Sequence, residues 1–134
     1  MAVSHDPLSR LVVDEAAVDR ELLATVLEDK IRLDLVNGSF AFNHGVRDRL
    51  NNRQQVLIAL LAQKALHLLV QDFPEGLRPQ EIELATGVRG GTLRPILRVL
   101  GDRRLVRQDP YKSYFVPAYA VEDAGRFLSE RFDQ

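Results

Sequence analysis

The chain has 134 residues, with 18 basic and 19 acidic side chains, a net charge of −1 and no cysteine. A chain of that length suits one compact domain, which at this size buries roughly 68% of the surface its unfolded form exposes, and leaves too little for a second independent core. The missing cysteine excludes disulfides and cysteine-based metal sites, and the near-neutral charge argues against coating nucleic acid through bulk electrostatics.

The opening Met1 to Pro7 lacks a basic region followed by an apolar stretch and does not read as a secretory signal. Residues 1–9 are expected to be a flexible terminus, and 10–50 an amino-terminal extension built from a helix and a β-hairpin. From Asp14 to Asp29 the sequence is acidic and alanine-rich, and Val18, Leu22, Leu23, Val26 and Leu27 form an apolar stripe at helical spacing. Ile31 to Val36 then alternates apolar and polar residues, Asn37-Gly38 is a strong two-residue hairpin turn, and Ser39 to Phe42 resumes the alternation. Ile31, Leu33 and Leu35 share one face, which Phe40 and Phe42 oppose.

Asn52 is placed to cap the longest helical pattern, Arg53 to about Val70, whose apolar residues go most of the way round the cylinder. Several neighbours must cover it. Its apolar block is interrupted by Gln63, Lys64 and His67 and falls short of the roughly 20 residues of a membrane span, so a core helix is expected rather than a membrane anchor.

Pro79 to Gly87 reads as a short helix, with proline in the first turn, where no amide donor is needed, and glycine just past the end. After Val88-Arg89-Gly90-Gly91, Thr92 is placed to cap a second helix in which Leu93, Ile96, Leu97 and Leu100 fall at i, i+3, i+4 and i+7. Starting there keeps Pro95 in the first turn, where it is tolerated; an earlier start would cost about 3 kcal/mol. Leu105 to Gln108 and Ser113 to Val116 flank Asp109-Pro-Tyr-Lys112 as a hairpin. Tyr119 to Phe132 closes the chain as an amphipathic helix, with Val121, Ala124, Phe127, Leu128 and Phe132 as its apolar members.

Two short helices followed by a hairpin, with Ile82, Leu84, Ala85, Thr86, Gly87 and Val88 leading into the second helix and Leu97, Leu100, Leu105 and Val106 downstream, resemble the winged helix-turn-helix superfamily. The likeness is to small bacterial and archaeal regulators, and it covers about half of the chain. It implies a mainly α fold with small β-hairpins (α+β), in which residues 51–117 form the winged helix-turn-helix and 118–134 a carboxy-terminal helix. It also implies a helix offered to a DNA major groove and a wing against the neighbouring backbone or minor groove. Charge is distributed accordingly: residues 77–116 carry eight basic against four acidic side chains, an excess the rest of the chain reverses.

On that reading the DNA-binding residues are Arg89, Gly90, Gly91, Thr92, Arg94 and Arg98 on and before the second helix, and Arg107, Tyr111 and Lys112 in the wing. Arg94 and Arg98 are four apart and share a helix face, and each guanidinium can grip a guanine or a phosphate with two hydrogen bonds. Gly90 and Gly91 either let backbone amides approach a phosphate or only permit a tight turn. Arg103 and Arg104 suit the negative end of the helix dipole.

Catalysis is not expected. His5, His44 and His67 lack metal-ligand spacing, His67 reads as a packing residue, no glycine-rich loop leads into Lys-Ser/Thr, and no serine sits in a nucleophile-elbow context. No cofactor or metal is implied. The expected function is a cytoplasmic or nucleoid-associated DNA-binding regulator or architectural factor, a homodimer formed through the long helix and the terminal helices, with double-stranded DNA as its partner. The alternative is a winged helix that docks protein as a subunit, adaptor or inhibitor, using the 31–42 hairpin; exposed aromatics at Phe40 and Phe42 would favour it.

Overall fold

A computed structural model describes residues 7–11 and 18–132. Its elements are α1 (Arg20–Leu27), β1 (Ile31–Asp34), β2 (Ser39–Phe42), α2 (Asn52–Leu69), α3 (Pro79–Thr86), α4 (Gly90–Asp102), β3 (Arg107–Gln108), β4 (Tyr114–Phe115) and α5 (Val121–Phe132), with short 3-10 turns at Pro7–Leu11, Arg47–Arg49 and Ala118–Ala120. The class is α+β, as expected. None of the described helices is long and apolar enough to cross a membrane.

α2 is the axis of the molecule. Every residue from Gln54 to Lys64 is buried, because α1, α3, α4, α5 and both hairpins pack around it. Burial extends to its polar side chains, and each has a partner. Gln55 donates to the Leu50 carbonyl at 3.1 Å and Gln63 to that of Pro74 at 2.6 Å, while Lys64 is paired with Glu75. His67, half-buried as a packing residue should be, donates from Nδ1 to the Phe73 carbonyl at 2.8 Å. These bonds fold the 73–75 turn back on the helix, which a wholly apolar helix could not do. Among the described residues, no buried side-chain nitrogen or oxygen is left without a partner.

Details of the structure differ from the sequence-based expectation. α1 begins at Arg20, capped by Asp19, whose extended backbone ends the helix there and whose side chain accepts from the Leu22 amide at 2.9 Å, so Val18, expected within the helical stripe, precedes the helix; residues 14–17 lie outside the described residues. The cap of α2 is Asn51, not Asn52. Asn51 accepts from the Gln54 amide at 2.8 Å and Gln54 returns the bond to the Asn51 amide at 2.9 Å, so the two close a reciprocal box that a cap at Asn52 could not form.

The first hairpin has a four-residue turn, Leu35 to Gly38, instead of the two-residue Asn37-Gly38 turn. Asp34 pairs with Ser39 and Leu33 with Phe40. The Asp34 carboxylate holds this register by accepting from the Val36 amide, the Asn37 amide and Asn37 Nδ2 at 2.9, 3.2 and 2.8 Å. Gly38 supplies a φ of 66°, and the Phe73 ring lies where its side chain would be, a built Cβ falling 2.6 Å from that ring. Leu35 and Val36 therefore leave the strand face and are 48% and 91% exposed.

A further difference is the start of α4. It begins at Gly90 with Arg89 as its cap residue, not at Thr92, so Pro95 lies inside the helix. Leu93, Ile96, Leu97 and Leu100 are buried as the spacing predicts, at about 1.5–3 kcal/mol each. That burial secures the helix despite one missing backbone bond. α4 ends where the Leu105 amide returns to the Leu100 carbonyl at 2.9 Å, with Arg104 in the left-handed region at φ 62°.

β3 and β4 pair as Arg107 with Phe115 and Gln108 with Tyr114, both strands shorter than expected. A third backbone segment joins them. Leu77 exchanges hydrogen bonds of 2.9 and 2.7 Å with Tyr114, placing the residue between α2 and α3 on the outer edge of β4. Gly76 permits this approach, since a Cβ there would collide with the Tyr114 carbonyl. α5 then covers α1 and α2 with Val121, Ala124, Phe127 and Leu128; the expected apolar side chain of Phe132 lies outside the described side chains.

Candidate nucleic-acid interface

α3 and α4 are joined by a turn of three residues fixed from both sides. Gly87 ends α3 at φ 78°, and its amide returns to the Glu83 carbonyl at 2.7 Å. Thr86 is buried, donating to the Ile82 carbonyl at 2.7 Å and accepting from the Val88 amide at 3.1 Å. From the amino-terminal extension, Arg47 Nη2 donates to the Thr86 carbonyl, an acceptor that the end of α3 would otherwise leave open. With Ile82 and Val88 also buried, the angle between the two helices is set by packing on one side and hydrogen bonds on the other.

The β3–β4 hairpin is equally constrained. Asp109 Oδ1 accepts from the Tyr111 and Ser113 amides at 2.8 and 3.0 Å, and the Lys112 amide reaches the Asp109 carbonyl at 3.1 Å. The tip thus presents Tyr111, 75% exposed, and Lys112, which takes the left-handed conformation at φ 68°. A non-glycine residue there is strained unless its surroundings impose it.

Between α3, the first turn of α4 and this tip lies a groove of about 460 Å³. Of the sequence-predicted residues, Gly90, Arg94, Tyr111 and Lys112 line it. Arg89 lies on the adjoining depression beside Leu84 and Gly87. Gly91, Thr92 and Arg98 are exposed on α4 outside the groove, Arg98 one turn beyond Arg94. Arg107 is exposed but does not line the groove; its strand neighbour Gln108 does, and successive strand residues point to opposite faces. The structure therefore separates Arg107 from the other wing candidates.

Arg78, Gln80, Glu83 and Gln108 also line the groove, and sequence reasoning did not single them out. Arg78 stands before the first helix proline and carries no local signal. Glu83 alters one expectation directly: its Oε1 accepts from the Gly90 amide at 2.8 Å. That amide is one of those expected to approach a phosphate on one of the two readings, and a carboxylate already occupies it. Gly91 has nothing within 4 Å of a built Cβ, so of the two readings for the glycines, the open approach survives only there.

Among the described residues the ion pairs are Lys30–Asp29, Lys64–Glu75 and Arg126 with Glu122 and Asp123. None involves Arg78, Arg89, Arg94, Arg98, Arg107 or Lys112, whose charges are left to solvent or a ligand. Arg103 lies 5.1 Å from the centroid of the Phe127 ring, so it packs on α5 and leaves Arg104 as the outward member of that pair. No described group of three or more histidine, aspartate or glutamate side chains could hold a metal ion. No protein-family model, curated protein or solved structure matches the chain.

Proposed function

We propose that this chain is a winged helix-turn-helix protein that binds double-stranded DNA, acting as a transcriptional regulator or architectural factor of the cytoplasm or nucleoid. The observation that carries the reading is the shared groove, in which Arg94 of α4 and Lys112 of the hairpin tip stand as unpaired cations together with Arg78. A helix and a wing serve one duplex only if they face it together, and here they border one depression. The element order supports the same reading: α2, the Leu77 edge, α3, α4 and the β3–β4 hairpin follow the winged-helix order of helix, short strand, two helices and hairpin.

In this reading the exposed side of α4 enters the major groove with Arg94 and Arg98, while Arg78 and Lys112 meet phosphates on either side. A second copy completes the site. The middle of α2 is buried within the chain, so the dimer contact falls on the apolar groove of about 380 Å³ formed by α1, β1 and the carboxy-terminal end of α2, where Leu69 is 54% exposed. Arg20, at the start of α1 and donating to the Leu68 carbonyl at 3.0 Å, and Glu28, just past its end, line that groove, and an antiparallel copy would set each Arg20 against the partner subunit's Glu28.

Fluorescence anisotropy with a random 30-base-pair duplex over several salt concentrations tests the proposal. On a random duplex, which offers no specific bases, Arg94 and Arg98 fall on phosphate as Arg78 and Lys112 do, and four cations per subunit, eight in the dimer, give a slope of log affinity against log salt near −7, or roughly a 10⁴-fold loss between 50 and 200 mM. The Arg94→Ala/Arg98→Ala protein should keep its melting temperature and lose most of this binding. A slope near zero removes the proposal. Protein docking would then rest on Leu35 and Val36 at the hairpin tip, because Phe40 and Phe42 are half-buried against the core.

A further inference from the structure

The groove holds one acidic group among its cations, and its position is specific. Glu83 is half-buried on α3, and the amide it accepts belongs to the first residue of α4. The first amides of a helix carry its positive dipole end and are where a DNA phosphate gains most from backbone contact. A carboxylate seated there satisfies the helix and repels the phosphate. Its other oxygen has no hydrogen-bond partner among the described residues and remains an acceptor in the groove, which suits an amino group on a base edge and not a phosphate.

We propose that Glu83 is a specificity-determining residue of the DNA site: it bars backbone phosphate from the amino terminus of α4, so that this end of the helix is left to base edges. The inference rests on the DNA-binding reading above. Its consequence is that the protein gives up nonspecific affinity that its cations would otherwise provide, which widens the gap between a specific site and random DNA.

Glu83→Gln tests this, because the glutamine oxygen still accepts the Gly90 amide while the charge is gone. On the random duplex at 100 mM salt the variant should bind at least about threefold more tightly than the native protein. Its salt slope should steepen by about 0.9 for each phosphate contact recovered, while the melting temperature falls slightly, since a charge at the positive end of α4 is worth about 0.3–1 kcal/mol. Glu81→Gln is the control: Glu81 is exposed on the same helix and accepts the Arg78 amide at 2.8 Å, so it removes the same charge outside the groove. Equal gains for both variants would reduce the effect to net charge and overturn the proposal. Unchanged or weaker binding by a fully folded Glu83→Gln protein would overturn it too. If the native protein shows no salt-dependent binding, the DNA reading itself falls; if it binds and only Glu83→Gln behaves as its control does, the specificity role alone falls.

Discussion

Pro95→Ala should stabilise the protein, and the size of the gain follows from where α4 begins. With Gly90 as its first residue, the residue at 95 should donate to the Gly91 carbonyl, and proline cannot; its ring also crowds that carbonyl. Proline inside a helix is about 3 kcal/mol less favourable than alanine. Part of this is already relieved, because Gly91 is exposed, has no side chain to resist a splayed first turn, and can give its carbonyl to water. Alanine also loosens the unfolded chain, which costs about 0.4–1 kcal/mol. Pro95 is exposed, so little burial is lost. The net gain is about 1–2 kcal/mol, or roughly 3–10 °C in melting temperature for a chain between the size classes for which such shifts are tabulated. Thermal melts followed by circular dichroism read it, with Pro110→Ala as a control of opposite sign, since Pro110 occupies the turn position that proline favours. An unchanged or lower melting temperature for Pro95→Ala would put the helix start at Thr92 and refute the reasoning.

Lys112→Gly should raise stability by about 0.5–1 kcal/mol by relieving the left-handed conformation, yet weaken DNA binding and lower the salt slope by about 0.9 per subunit; melts and anisotropy on one preparation check both signs. Gly76→Ala should cost about 2 kcal/mol or more, because its Cβ meets the Tyr114 backbone, and should speed amide exchange at Leu77 and Tyr114. The Asn37 side chain, then its amide, hold the Asp34 carboxyl below its ordinary pKa. Whatever stability this gives is therefore present above the ordinary carboxylate range and lost as pH falls through the lowered value. An NMR titration should find the Asp34 pKa depressed, and Asn37→Ala should move it upward.

What was legible in the sequence was what local chemistry decides. Pro79 and Gly87 bracket α3 because each suits one end of a helix by its own backbone, and the buried face of α4 follows from spacing alone. Asn51 and Asn52 are equally good caps in isolation; Gln54 chooses between them by returning a bond that fits only one register. The hairpin signal of Asn37-Gly38 lost to Asp34, which collects three donors, and to the Phe73 ring, which arrives from a distant turn. Thr92 lost its place as cap because Glu83, on another helix and seven residues before Gly90, supplies the acceptor that the helix start needs. Leu77 is a strand of one residue and has no periodicity to read. In the candidate site the cations of α4 and the hairpin tip were visible as charges, but the assignment of Arg107 to the far face required the strand register.

The amino-terminal extension is not a separate accessory to the proposed DNA site, and Arg47 shows why. Its guanidinium donates to the carbonyl at the end of α3, fastening the turn that sets the angle of α4, while Gln55 of α2 reaches back toward the Arg47 carbonyl at 3.3 Å. Arg47→Ala leaves that α3 carbonyl without a partner. A hydrogen bond to a charged group is worth about 1.5–3 kcal/mol, less here because Arg47 is exposed, so a loss near 1 kcal/mol in stability is expected. The sharper readout is in binding. If Arg47 positions α4 without touching DNA, affinity for the random duplex should fall about threefold to tenfold while the salt slope stays at its native value, because no phosphate contact is lost. A slope reduced by about 0.9 per subunit would instead make Arg47 a phosphate contact, and the DNA-facing surface would then extend from the groove across the turn onto the extension. Unaltered affinity and slope would mean that Ile82, Thr86 and Val88 hold the turn by packing alone.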